Sequence, residues 1–261
     1  MRKTLVFLAA LFFVSNAWAQ ELNVDEIVIK ANNRSYYQGK DGRAKVTMVV
    51  TDAQGRKRER QLTILKLNVQ EGADQKYFVY FHKPNDVKGM SYIVWKHAGK
   101  DDDRWLYLPA MDLVRRIAAS DKRSSFVGTT FLYEDISGRS IDLDKHELSA
   151  SDAAYYTIKN TPKDAALVEF SYYTVKIDKN NFVPMKAEYF DKSGKLYRTI
   201  EALEVKVIQN YPTVTRMKAA DLNAGSNTIA EFSDISYDIG LTDNIFTERF
   251  LRTPPQQWLK E

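Results

Sequence analysis

Runs of β-branched and aromatic residues, each closed by a turn signal, recur along most of this chain and constrain its fold more than any single motif. "AKVTMVVTD" ends at Asp52-Ala53-Gln54-Gly55, "RQLTILKLNV" at Glu71-Gly72, and "KYFVYFHK" at Pro84-Asn85. "MSYIVWKH" closes at Ala98-Gly99, and "FVPMKAEYFD" at Asp191-Lys192-Ser193-Gly194. "KLYRTIEALEVKVIQ" and "PTVTRMKAADL" continue the pattern. Short strands at this spacing, bounded by Gly, Asn, Asp and Pro, predict a mainly β chain built as an antiparallel meander. "DRWLYLPAMDLVRRI" reads as two neighbouring strands around a turn containing Pro109.

The strands are apolar on both faces. In "KYFVYFHK", Tyr77, Val79 and Phe81 point one way while Phe78 and Tyr80 point the other, because successive strand side chains alternate. In "RQLTILKLNV", Leu62 and Ile64 oppose Thr63, Leu65 and Leu67. A sheet with one wet face would alternate more cleanly. Either both faces are covered, as in a two-layer sandwich, or one lines an apolar cavity.

Helices are few. "NVDEIVIKANNR" places Val24, Ile27, Val28 and Ala31 at helical spacing behind a cap at Asn23 or Asp25. A short turn capped by Ser120 or Asp121 and a C-terminal helix over "TDNIFTERFLR", capped by Thr242 or Asp243, complete the set.

The first residues address the chain. Arg2 and Lys3 precede the apolar run "TLVFLAALFFV" and the small-residue pattern Ala17-Trp18-Ala19. This reads as a signal peptide over residues 1–19, followed by one domain over 20–261 and implying export to a bacterial periplasm. The apolar run is shorter than the ~20 residues a spanning helix needs. No cysteine follows, which excludes disulfides, thiolate metal sites and a lipidated mature N-terminus. Without Arg2 and Lys3, 36 basic residues face 34 acidic ones, so charge gives no case for nucleic acid.

Chemistry-bearing motifs are missing from the sequence. His82 and His97 end neighbouring strands without carboxylates at metal-ligand spacing and read as solvent-facing strand ends, and His146 has no paired-ligand motif. "GKDDDR" lacks the spaced ligands of an EF-hand loop and reads as a charged hairpin tip. There is no nucleophile elbow and no phosphate loop. The chain reads as a non-enzyme without cofactor or metal.

What remains is aromatic surface. Trp95, Trp105, Tyr107, Phe126, Phe131 and Tyr133 fall within 40 residues, as core or as the lining of a binding cavity. Arg115, Arg116, Lys122 and Arg123 could supply head-group or partner contacts beside it. "SDKRSSFVG" reads as a mobile segment over a cavity mouth, with Phe126 a partly buried plug and Gly128 a flexible end.

The stretch "DRWLYLPAMDLVRRIAASDKRSSFVGTTFLYEDI" resembles the signature of the outer membrane lipoprotein-sorting protein family, relatives of the periplasmic carriers LolA and LolB. The likeness rests on Asp103, Trp105, Tyr107 and Pro109, then Arg115, Arg116 and Ile117, then Ser120-Asp121-Lys122-Arg123, Phe126, Gly128, Phe131 and Tyr133-Glu134-Asp135. The resemblance implies a strongly curved antiparallel sheet, an incomplete barrel whose concave apolar face is covered by a few helices. It also implies a monomeric periplasmic carrier of a lipid or acylated protein, with an inner-membrane RND- or MMPL-type transporter as partner. A lipid-sensing regulator resembling RseB is the alternative. The chain is longer than the short LolA carriers, so a LolA-type lipoprotein role does not follow from the likeness.

Overall fold

The computed structural model describes residues 22–70 and 73–259; the segment read as a signal peptide lies outside them. Helix α1 (Val24–Tyr36) comes first. Asn23 caps it: its side chain accepts from the Glu26 N–H at 2.9 Å, while Glu26 returns a bond to the Asn23 N–H. This reciprocal capping box satisfies two otherwise orphaned donors. Ile27, Val28 and Ala31 form the buried stripe, as the spacing predicts.

Six strands follow: β1 (Asp41–Thr51), β2 (Lys57–Asn68), β3 (Gln75–Lys83), β4 (Ser91–Lys96), β5 (Asp103–Leu108) and β6 (Leu113–Arg116). A long connection containing α2 (Tyr133–Ser137) leads to β7 (Asp144–Ser151), β8 (Tyr155–Pro162), β9 (Phe170–Asp178), β10 (Pro184–Asp191), β11 (Leu196–Ile208), β12 (Tyr211–Asp221) and β13 (Ser226–Tyr237). The chain closes with α3 (Arg249–Arg252) and α4 (Gln256–Leu259). The C-terminal helix expected from sequence is thus a 3-10 turn at 243–246 followed by two short helices. Strands β7, β8, β9 and β13 lie in segments the sequence reading left unassigned.

All thirteen strands make one curved, unclosed antiparallel sheet in the order β6-β5-β4-β3-β2-β1-β13-β12-β11-β10-β9-β8-β7. Each half is a meander of adjacent strands, and among the described residues the two halves are hydrogen-bonded as strands where β1 pairs β13, with Met48 opposite Ala230. The edges are β6 and β7, so the connection between them must cross the sheet. Around Pro109 the expected pair forms, with Trp105 opposite Arg116 and Leu106 opposite Arg115.

Both faces of β2–β5 are covered, by different parts of the chain. On the inner face Leu62, Tyr77, Val79, Phe81, Tyr92 and Leu106 pack under Phe126, Phe131 and Tyr133 of the crossing segment. On the outer face Leu65, Phe78 and Ile93 pack under Leu241, Phe246, Leu251 and Leu259 of the C-terminal segment. The Asp41 carboxylate anchors that segment by accepting the N–H groups of Ile239, Gly240 and Leu241 at 2.8–3.1 Å. Further along, Trp95 Nε1–H donates to the Phe246 carbonyl at 2.6 Å. Trp95→Phe keeps an aromatic ring but removes the indole N–H, so it should lower stability by about 1 kcal/mol or more in chemical denaturation. It should also raise hydrogen exchange over residues 243–251.

Candidate functional site

Inner-face residues align across the second meander: Ile158 pairs Val175, which pairs Ala187, which pairs Ile200. Helix α1 lies over this ladder, with Ile27, Val28 and Ala31 against Ile158 and Ile177. Between helix and sheet is a cavity of about 440 Å³, bounded at one end by Phe131, Glu134 and Asp135 of the crossing segment. Four alanines, Ala44, Ala187, Ala202 and Ala230, and Gly42 face it from the strands. Small residues at inward positions leave unfilled space where close-packed interiors ordinarily interdigitate. Ile64, Val175, Ile200, Met217 and Phe232 complete an apolar wall and are only partly buried.

The roof is fastened by backbone contacts. Arg34 Nε donates to the Asn181 carbonyl at 2.9 Å and Gln38 Nε2 to the Pro212 carbonyl at 2.9 Å. Lys66 Nζ donates to the carbonyls of Tyr36 and Gln38 at 3.0 and 2.6 Å, just where α1 ends. Burial pulls the Lys66 ammonium down to about 8, only partly offset by Asp238 and Asp41. Lys96 does the same for α2, donating to the Ser137 carbonyl at 2.7 Å, and burial likewise lowers it to about 8. Gly138 follows with φ +78°, and a Cβ there would lie 2.4 Å from the Tyr36 ring. That glycine is required for the two helix ends to meet.

Glu134, Asp135 and Arg139, which line the cavity, belong to an ion-pair network that extends behind it. Arg123 Nη1 donates to Glu134 at 2.5 Å, and its other nitrogens reach Glu169 at 2.6 and 2.7 Å. Arg139 joins Glu134 and Asp144, and Arg198 joins Asp135. Burial holds the Asp135 carboxyl above the usual carboxylate range, against the pull of Arg198. Burial also pushes Glu169 up, but the Arg123 hydrogen bond and charge, with the Tyr197 hydroxyl, overcome it and hold Glu169 at about 2. These charges pair with one another. Among the described residues no group of three or more His, Asp or Glu could hold a metal ion. No helix among them is long and apolar enough to cross a membrane.

Of the aromatics picked from sequence, Phe131 lines this cavity. Phe126 and Tyr133 lie beside it in the inner core. Trp95, Trp105 and Tyr107 do not face it: strand alternation puts them on the outer face, under the C-terminal segment. Arg115 and Arg116 are exposed on β6 but paired apart, Arg115 near Asp121 and Arg116 with Asp103. Lys122 reaches Asp101 at 3.1 Å. Arg123 is buried in the network, which corrects its expected position at the surface. The mobile-lid expectation is corrected too. Phe126 is fully buried, and its N–H donates to the Phe131 carbonyl at 2.8 Å.

The histidines are not free strand ends either. His82 lies 2.9 Å from Thr63, and His97 sits between Asp74 and Asp103. His146 lines the cavity, its ring nitrogens facing Asn160 and the Ile141 carbonyl at 2.7 and 2.9 Å. The residues that open the cavity, Ala44, Ala187 and Ala202, escaped the sequence reading. Their signal was alanine at inward parity within strands otherwise rich in larger side chains.

A curved, unclosed antiparallel sheet holding an apolar cavity under a helix defines a LolA-like fold. A crystal structure of a LolA superfamily protein from Nitrosomonas europaea superposes with a TM-score of 0.69 at 19% identity, covering 88% of this chain and 99% of that one. Closer in sequence is an outer membrane lipoprotein-sorting protein domain from Vibrio parahaemolyticus, at TM-score 0.79 and 28% identity over 88% of this chain and 100% of that one. A DUF1329 family protein from Desulfovibrio piger gives TM-score 0.79 and 27% identity over 86% and 96%. A family model whose description reads "Uncharacterized protein" matches residues 73–253, more than half of the chain. The chain belongs to that family, and its fold is LolA-like. No protein of curated function matches it.

Proposed function

We propose that this protein is a periplasmic carrier that holds an acyl chain or lipid in the α1-roofed cavity and moves it between the envelope membranes. The observation that carries the reading is the cavity itself, about 440 Å³, walled by alanines and partly buried aliphatics. Its size falls in the usual range for small-molecule sites, ~300–1,000 Å³. Its function is capture without bond-making, since each CH₂ transferred from water contributes roughly 0.8 kcal/mol. An RND-type inner-membrane exporter is the proposed partner. Arg115 and Arg116, on the edge strand β6, are its proposed contacts, or those of a lipid head group.

The test is native mass spectrometry of protein purified from periplasm, followed by delipidation and rebinding. A co-purifying lipid, or rebinding at one per chain, is the expected result. Ala187→Trp places an indole in the cavity and should lower affinity at least tenfold while leaving the far-ultraviolet dichroism unchanged. Failure of every lipid to bind the delipidated protein would sink the carrier reading.

A further inference from the structure

The cavity's size, the fixing of its roof and the state of its charges narrow the occupant. We infer that it is a single alkyl chain of about 16–18 carbons whose polar end stays outside, and not a diacyl lipid; this rests on the carrier reading above. A dry apolar cavity of about 150 Å³ accommodates benzene, or roughly 25 Å³ per carbon. At that density the observed 440 Å³ takes one long chain. Two 16-carbon chains would need roughly 800 Å³ by the same measure.

Enlarging the space beneath the roof to that volume would require lifting α1. Its C-terminal end is tied to two different parts of the sheet, through Gln38 to the Pro212 carbonyl and through Lys66 to the carbonyls of Tyr36 and Gln38. Arg34 adds a third tie, to the Asn181 carbonyl. Raising the roof breaks these bonds together and leaves Lys66, already short of water, with fewer acceptors.

The charged groups on the wall complete the case. Among them, Arg34 and Lys66 are held by carbonyls, Glu134 by Arg123 and Arg139, Arg139 also by Asp144, and Asp135 by Arg198. An ionised head group drawn inside would have to displace one of these partners and strand a buried charge. Inside the cavity, recognition therefore reads the length of the chain and not its head group.

The experiment uses the delipidated full-length mature protein and displacement of a fluorescent fatty acid. The probes are saturated fatty acids of 8 to 22 carbons, palmitoyl lysophosphatidylcholine, an N-palmitoyl peptide and dipalmitoyl phosphatidylcholine. Affinity should rise to an optimum near 16–18 carbons, with palmitate, the lysolipid and the acyl peptide within about threefold of one another. The diacyl lipid should bind at least tenfold more weakly than the lysolipid. Ala202→Phe, which adds a six-carbon ring to the wall, should move the optimum down by about six carbons. Diacyl binding as tight as lysolipid binding, or affinity still climbing at 22 carbons, overturns this inference and leaves the carrier reading standing. Binding by none of the probes overturns both.

Discussion

Phe126→Ala should destabilise the protein by about 3–5 kcal/mol, the cost typical of truncating a core phenylalanine. The ring is fully buried, with Phe81, Tyr92 and Tyr133 centroids 5.8, 5.4 and 5.4 Å away. Those neighbours come from β3, β4 and α2, so the ring ties the crossing segment to the first meander. Val127 and Gly128 follow with φ of +48° and +72°, and the Arg60 guanidinium donates to the Val127 carbonyl at 3.0 Å. The turn is held from below and cannot collapse into the space an alanine leaves. Urea denaturation measures the effect. A loss under 1 kcal/mol, accompanied by faster ligand release, would restore the lid reading of "SDKRSSFVG".

Arg123→Gln should cost a similar amount, about 3–5 kcal/mol, because removing one partner of a buried ion pair leaves the other uncompensated. Glu134 would keep only Arg139 at 3.4 Å, and Phe170 would lose the guanidinium stacked 4.8 Å from its centroid. The same variant should change the acid limb of stability. Glu169 lies at about 2 in the folded chain against an ordinary 4.5, a depressed carboxylate. Its contribution is therefore fully present above about pH 4.5 and is lost as pH falls toward 2. Thermal melting between pH 2 and 6 should show this slope in the native protein. In Arg123→Gln and in Glu169→Gln it should flatten, and an unchanged slope would remove Glu169 from the account. Since the Glu169 side chain is nearly half exposed, solvent screening keeps this component small beside the loss of the buried Arg123–Glu134 pair.

Much of the sheet was legible in the sequence because a strand's period is two. The opposition of Tyr77, Val79 and Phe81 to Phe78 and Tyr80 reappears as two separate cores on two faces. What alternation cannot say is which face is concave. That depends on cover arriving from far along the chain, as when Phe246 meets Trp95. The sequence consequently groups Trp105 and Tyr107 with Phe126, although the sheet divides them. The cavity was illegible for a related reason. Large side chains attract attention in a sequence, whereas space is made by small ones, and Ala187 or Ala202 alone is an unremarkable strand residue. The sequence places Arg123 with Lys122 as a head-group or partner contact, because its acidic partners Glu134 and Glu169 lie 11 and 46 positions away.

The seam between β1 and β13 has a consequence for how this molecule comes into being. Neighbours within each meander can zip together soon after synthesis, but β1 must wait for residues 226–237 before its second edge is paired. In a chain released N-terminus first, that edge stays open until nearly the whole polypeptide has emerged, offering Val46, Met48 and Val50 to other strands. The cavity needs walls from both sides of the seam, with Ala44 on one and Ala202 and Ala230 on the other. Truncated products therefore cannot assemble the pocket, and completing the fold is the same event as becoming able to hold a ligand.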